Sequence, residues 1–106
     1  MNKKFIVRKN EEIQEIIKKN KKIINKYFII YFIKNDLNYN RYCISVGKKI
    51  GKAHTRNLYK RRIKDILMKN NIDSSNDYVI ILRTNILGNS YQEISSELLK
   101  LLRGEK

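Results

Sequence analysis

The segment KYFIIYFI, residues 26–33, constrains the fold more than any other part of the sequence. In an extended strand its side chains alternate between two faces, and both faces are apolar or aromatic. The two sets are Tyr27, Ile29, Tyr31 and Ile33 on one face, and Phe28, Ile30 and Phe32 on the other. Such a strand is covered on both faces, or it is covered on one face and lines a binding cleft on the other.

Two more strands and two helices are predicted on either side of this segment. Asn10, followed by two glutamates, is typical of the N-cap of a helix, which we expect to end near Asn20. The turn KNDLNYN leads to RYCISVG, whose alternation predicts a second strand that forms a hairpin with the first. Residues 53–69 predict a long basic helix, and YVIILR, residues 78–83, predicts a third strand.

The last helix has sequence signals at both ends. Ser90 and Glu93 form a capping box, and an apolar stripe leads to Gly104, which is expected to end the helix. The predicted order is therefore α-β-β-α-β-α. We interpret the 106 residues as one α+β domain, a sandwich in which helices pack against a small sheet.

The charge balance indicates the kind of partner. The chain has 24 Lys and Arg against 10 Asp and Glu, a formal net charge of +14, which is typical of proteins that bind a polyanion. No apolar run approaches the roughly 20 residues that span a bilayer, and the N-terminus lacks an apolar signal core, so no membrane partner is predicted. Cys43 is interpreted as a small core residue, which fits a reducing, cytoplasmic location.

The predicted basic helix has two distinct faces. Its apolar face, expected to pack on the sheet, is formed by Tyr59, Ile63, Ile66 and Leu67. Beside it lies a polar stripe formed by Asn57, Lys60, Arg61 and Lys64. Arg56 in the first turn opposes the helix dipole, typically at a cost of about 0.3–1 kcal/mol. A phosphate is therefore expected at the start of this helix, where backbone N–H groups are also free.

The residues where the preceding loop joins this basic helix form a long motif, Lys49-Ile50-Gly51-x-Ala53-x-x-Arg56-Asn57-x-x-Lys60-Arg61. The motif resembles the signature of the bacterial ribonuclease P protein component. The resemblance extends over nearly the whole chain, through Arg8-Lys9-Asn10-Glu11, the FIIYFI strand and the YVIILR strand. It implies a fold like the second domain of ribosomal protein S5. It also implies a protein subunit that helps to remove the 5′ leader from precursor tRNA.

The resemblance also implies partners and binding residues. The RNA subunit would carry the active site and the catalytic Mg²⁺, and the partners would be this RNA and precursor tRNA, with no DNA. Residues expected to contact the RNA subunit are Lys48, Lys49, Lys52, Arg56, Asn57, Lys60, Arg61 and Lys64. A cleft between the first helix and the sheet is expected to hold the single-stranded leader through Lys9, Asn10, Ile13, Ile17 and Tyr31.

Two positions depart from the family pattern. The motif usually reads Arg-Asn-Arg, whereas here Leu58 follows Asn57 and is expected to be exposed, with Arg62 nearby as a substitute cation. The family also tends to place aromatic residues on the first helix, where this chain has Ile13 and Ile17. We therefore expect a weaker preference for precursor over mature tRNA than in relatives with aromatic residues there.

The sequence offers no clear catalytic constellation. The acids are dispersed, and the single histidine, His54, has no evident partner in sequence, so no catalytic residue and no metal ligand is assigned to the protein. The alternative function is a non-enzymatic ribosomal or ribosome-assembly protein with similar charge. A helix-turn-helix DNA reader is less favoured, because strands flank the basic helix.

Overall fold

The computed structural model describes residues 1–104, and it confirms the α+β class. Within these residues the regular elements are α1 (Asn10–Lys18), β1 (Lys22–Ile24), β2 (Phe28–Lys34), β3 (Arg41–Ser45), α2 (Ala53–Lys69), β4 (Asn76–Leu82) and α3 (Tyr91–Leu102). Single 3₁₀ turns occupy Lys3–Phe5, Lys48–Ile50 and Thr84–Ile86. None of the helices in this range is long and apolar enough to cross a membrane.

The four strands form one mixed sheet in the order β1-β2-β4-β3. The predicted hairpin between KYFIIYFI and RYCISVG, which form β2 and β3, is wrong, because β4 lies between these two strands. It pairs antiparallel with β2 and parallel with β3. The reason is burial: Tyr78, Val79, Ile80 and Leu82 are all buried, so β4 needs cover on both faces and occupies the centre of the sheet. The chain reaches β4 from β3 through α2, as a parallel pair requires.

The edge strand β1 was not predicted, so the observed order is α-β-β-β-α-β-α. It has only three residues, too few to show a period. The turn into β2 is formed by Asn25, whose side-chain oxygen accepts hydrogen bonds from the N–H groups of Tyr27 and Phe28, both at 3.0 Å. The β1–β2 register places Lys22 opposite Tyr31.

Each face of the sheet carries its own apolar layer. On one face, α2 and α3 cover Phe28 and Ile30 of β2 with the buried residues Tyr59, Ile63, Ile66, Ile94 and Leu98. On the other face, α1 covers Val79 with the buried residue Ile16. Phe28, Ile30 and Phe32 lie in the first layer as predicted, and Tyr31 and Ile33 lie in the second. Tyr27 is a correction: it precedes the strand and is buried in the α2–α3 layer rather than sharing a face with Tyr31.

The N-termini of α3 and α1 differ in how they are capped. Ser90 caps α3 as predicted, with its hydroxyl accepting a hydrogen bond from the Glu93 N–H at 3.1 Å. Asn10, predicted as the cap of α1, is instead the first residue of the helix, and Lys9 occupies the cap position without a side-chain hydrogen bond. The start of α1 is held in place by other contacts.

Those contacts form a charged network centred on Arg41. Its guanidinium donates to Asp77 at 2.6 and 2.9 Å and to Glu12 of α1 at 2.7 Å. Asp77 is only 4 % exposed, and its carboxylate also accepts a hydrogen bond from Asn35 at 2.8 Å. The network therefore joins α1 to β3, β4 and the loop after β2.

Candidate RNA interface

Packing of α2 on the sheet decides which of its side chains face outward. Tyr59, Ile63, Ile66 and Leu67 are buried as predicted, and the Tyr59 hydroxyl accepts a hydrogen bond from the Gly88 N–H at 3.4 Å. Asn57, Lys60 and Arg61 are exposed, and Lys64 is half-buried at the margin of the helix. The polar stripe therefore lies at the surface, beside the packing face.

Within residues 1–104, the cations of the polar stripe have no acidic partner. None of Lys60, Arg61 and Lys64 forms an ion pair within residues 1–104. The one acid of the helix, Asp65, is occupied elsewhere: it accepts a hydrogen bond from the Tyr91 hydroxyl at 2.6 Å and pairs with Lys69 at 3.1 Å. The Tyr91 hydrogen bond, followed by Lys69, lowers the pKa of Asp65. The stripe is thus positively charged and available to an anion.

The loop before α2 adds three exposed lysines, Lys48, Lys49 and Lys52. Gly51 has φ +149°, and a Cβ there would lie 3.2 Å from two side-chain carbons of Thr55, so glycine is required for the close approach of loop and helix. Lys52 is the N-cap residue and makes no side-chain cap, and the first turn contains no acid. The free N–H groups at this helix end therefore point toward a lysine-rich surface suited to phosphate.

Arg56 and Leu58 differ from the rest of this surface. The Nε of Arg56 is enclosed and has no hydrogen-bond partner within residues 1–104, an arrangement that typically costs about 1–3 kcal/mol. Leu58 is 37 % exposed, as predicted for the position where the family usually has arginine. The guanidinium carbon of Arg62 lies 5.3 Å from the Tyr59 ring centroid, so this cation rests on the aromatic ring.

The predicted leader cleft is an apolar surface on the α1 side of the sheet. Ile13 and Ile17 of α1 and Tyr31 of β2 are half-buried and pack against one cluster, with Cys43 and Ile81 beside them. The Tyr31 hydroxyl makes no hydrogen bond within the described part of the chain, which suits a ring at the wall of a cleft. Lys9 and Asn10 are exposed at the start of α1, away from this apolar cluster.

Lys22 is a residue of this surface that the sequence did not reveal. It is exposed on β1, and its Nζ lies 5.7 Å from the ring centroid of Tyr31. A prediction of β1 with its register would have placed it beside Tyr31. Burial raises the pKa of the Cys43 thiol in the same apolar cluster, and the charge of Lys60 partly opposes that rise.

The fold and the basic face of α2, whose cations form no ion pair within residues 1–104, are typical of a small RNA-binding protein of the α+β class. A family model described as Ribonuclease P matches residues 1–105. The chain belongs to the ribonuclease P protein family. This membership supports the ribonuclease P interpretation over a ribosomal or ribosome-assembly protein.

Individual relatives agree with this assignment. The chain is 44 % identical over 106 residues to the ribonuclease P protein component of Mycoplasma mycoides, with 97 % of each sequence covered. It is 45 % identical to that of Mesoplasma florum, with 96 % of each covered. Among solved structures, the ribonuclease P protein of Thermotoga maritima matches with a TM-score of 0.88 at 31 % identity, covering 95 % of this chain and 97 % of that one.

Proposed function

We propose that the Gly47–Lys52 loop and the polar stripe of α2 bind the RNA subunit of ribonuclease P. The observation that carries this proposal is the run of cations without acidic partners beside an uncapped helix N-terminus. RNA phosphates would neutralise the lysines, accept hydrogen bonds from the free N–H groups, and offer an acceptor to Arg56. Single-signed charge of this density is otherwise destabilising through repulsion.

The leader of precursor tRNA would bind in the cleft formed by Ile13, Ile17 and Tyr31. Tyr31 would stack on an unpaired base, the two isoleucines would provide apolar contact, and Lys22 would contact the adjoining phosphate. Lys9 and Asn10 would contact the single-stranded leader where it passes the start of α1.

Catalysis is proposed to belong to the RNA subunit. Mg²⁺ prefers several oxygen ligands in an octahedral arrangement. Within residues 1–104, no three His, Cys, Asp or Glu side chains are grouped so that they could hold a metal ion by themselves. We propose that the ion is bound mainly by phosphates of the RNA subunit, and that the protein binds both RNAs in the cytoplasm.

Reconstitution tests this function directly. Combined with ribonuclease P RNA, the protein is expected to increase cleavage of precursor tRNA at low Mg²⁺, because its cations replace part of the screening that Mg²⁺ otherwise supplies. The protein freed of RNA is expected to leave precursor tRNA intact at every Mg²⁺ concentration. Cleavage that survives complete removal of RNA would contradict the assignment of catalysis. Failure to stimulate the RNA would contradict the function itself.

Substitutions in the cleft test leader binding. Tyr31→Ala is expected to reduce the preference of the holoenzyme for precursor over mature tRNA by roughly tenfold, since stacking contributes about 1–3 kcal/mol per base. Ile17→Phe should increase that preference by adding a ring to the opposite wall. The measurement is the ratio of the two dissociation constants at fixed salt.

The control for Tyr31→Ala is Tyr31→Phe, which keeps the ring and should keep the preference. RNA-subunit affinity should be nearly unchanged in both variants. If Tyr31→Ala weakens binding of precursor and mature tRNA equally, or if it unfolds the protein, then Tyr31 is a core residue and the cleft does not bind the leader.

A further inference from the structure

A second cationic surface surrounds a cavity at the N-terminal segment. The cavity has a volume of about 300 Å³, and the cations on its wall are Lys3, Lys4, Arg8, Lys9 and Arg41. The first four are exposed, and none of them forms an ion pair within residues 1–104. Arg8 and Lys9 lead directly into α1, and Lys9 is also one of the residues predicted to contact the leader.

The acidic residue on the cavity wall does not neutralise the positive charge of the exposed lysines and arginine. Glu12 is the one acidic residue on its wall within the described part of the chain, and its carboxylate accepts a hydrogen bond from Arg41 at 2.7 Å. Glu12 is therefore engaged by a cation that is itself fixed by Asp77. The lysines at the rim remain available to an external anion.

The aromatic residue on the cavity wall is Tyr39, which packs against Phe5 behind it. Phe5 and Tyr39 meet edge to face, with ring centroids 5.4 Å apart, and Tyr39 lies on the cavity wall beside the exposed Leu37. The Lys4 Nζ lies 4.9 Å from the Phe5 centroid and 5.2 Å from the Tyr39 centroid, so the ammonium group lies close to both rings. Cations interleaved with aromatic rings suit a ligand with both phosphates and flat apolar bases.

We propose that this cavity is a second binding site for single-stranded RNA, occupied by leader nucleotides beyond those in the cleft. The inference rests on the proposed function, because Lys9 on the wall of this cavity is also one of the residues proposed to contact the leader. Lys3 and Lys4 contact the phosphates of the distal leader, and the Tyr39 side of the cavity contacts a base. Long leaders thus gain contacts that short leaders do not reach.

A leader-length series tests the site. Holoenzymes with the native protein or the Lys3→Ala/Lys4→Ala variant are titrated with precursors whose leaders have about 4 and about 16 nucleotides, near the limits of common single-strand site sizes. The variant is expected to lose roughly tenfold in affinity for the long-leader precursor, as for two lost phosphate contacts, with a salt slope lower by about 0.7 per contact. Its affinity for the short-leader precursor should be unchanged.

The matched control is Lys100→Ala/Arg103→Ala, which removes the same charge from exposed positions at the C-terminal end of α3. It should not change the dependence on leader length. An equal loss for long-leader, short-leader and mature tRNA in the Lys3→Ala/Lys4→Ala variant would overturn the proposal, because the lysines would then contact the RNA subunit or the tRNA body. No loss for any of them would overturn it as well.

The same titrations separate this proposal from the leader cleft. If Tyr31→Ala weakens binding of both precursors while Lys3→Ala/Lys4→Ala affects neither, the cleft stands and the second site is rejected. If the native holoenzyme binds precursor and mature tRNA equally, leader binding itself fails and the second site fails with it.

Discussion

The variant Lys60→Ala/Arg61→Ala/Lys64→Ala is expected to bind ribonuclease P RNA much more weakly than the native protein. Each lost phosphate contact should flatten the dependence of log affinity on log salt by up to about 0.9, so the full effect approaches three units of slope. The three side chains lack acidic partners and do not support the core, so the fold should be retained. Affinity measured over a series of salt concentrations provides both quantities.

A matched variant separates the polar stripe from net charge. Lys34→Ala/Lys100→Ala/Arg103→Ala removes three exposed cations that lie outside α2 and should lower the salt slope far less. Far-ultraviolet circular dichroism of both variants checks that α2 remains helical. An unchanged slope in the variant of the polar stripe would show that this surface does not contact the RNA subunit.

The second large effect is expected on stability. Arg41→Ala leaves the buried Asp77 carboxylate without its cation, and removing one partner of a buried pair typically costs about 3–5 kcal/mol. Asn35 still donates to this carboxylate, so the loss in the free energy of unfolding should fall near the lower limit. The measurement is urea denaturation, compared with the native protein at the same salt concentration.

Two further variants show whether the stranded charge is the cause. Asp77→Asn added to Arg41→Ala should recover much of the stability, because the unpaired carboxylate is then absent. Arg83→Ala removes an exposed arginine that donates only to a backbone oxygen at 2.8 Å, and it should cost far less. If Arg41→Ala and Arg83→Ala are equally mild, the Arg41 network contributes little to the fold.

Local periodicity was sufficient for the helices but not for the sheet. The positions Tyr59, Ile63, Ile66 and Leu67 predicted the buried face of α2 because helical spacing is determined within a few residues of sequence. Alternation in RYCISVG likewise predicted a strand at this position. It could not predict the neighbouring strand, because pairing depends on residues far apart in the chain, and β4 displaced β3 from β2.

In the candidate binding surfaces, too, some residues could be predicted from the sequence, whereas others depend on contacts between distant parts of the chain. The cations of α2 could be assigned from the helix alone, and the grouping of Ile13, Ile17 and Tyr31 followed from the family resemblance. Lys22 could not be found, because its position beside Tyr31 depends on the register of a three-residue strand. The cavity at Lys3 and Lys4 depends on the N-terminal segment lying against Tyr39, a contact that no local pattern encodes.

The central position of β4 also determines the order of assembly during synthesis. Residues 53–69, which form the basic helix α2, are translated before residues 76–82, which form the strand that holds β2 and β3 together. Until β4 has left the ribosome, β2 and β3 have no common neighbour and α2 has no complete sheet to pack on. A highly cationic nascent segment is therefore exposed next to ribosomal RNA before its own scaffold exists, and tertiary folding has to wait for the last strand.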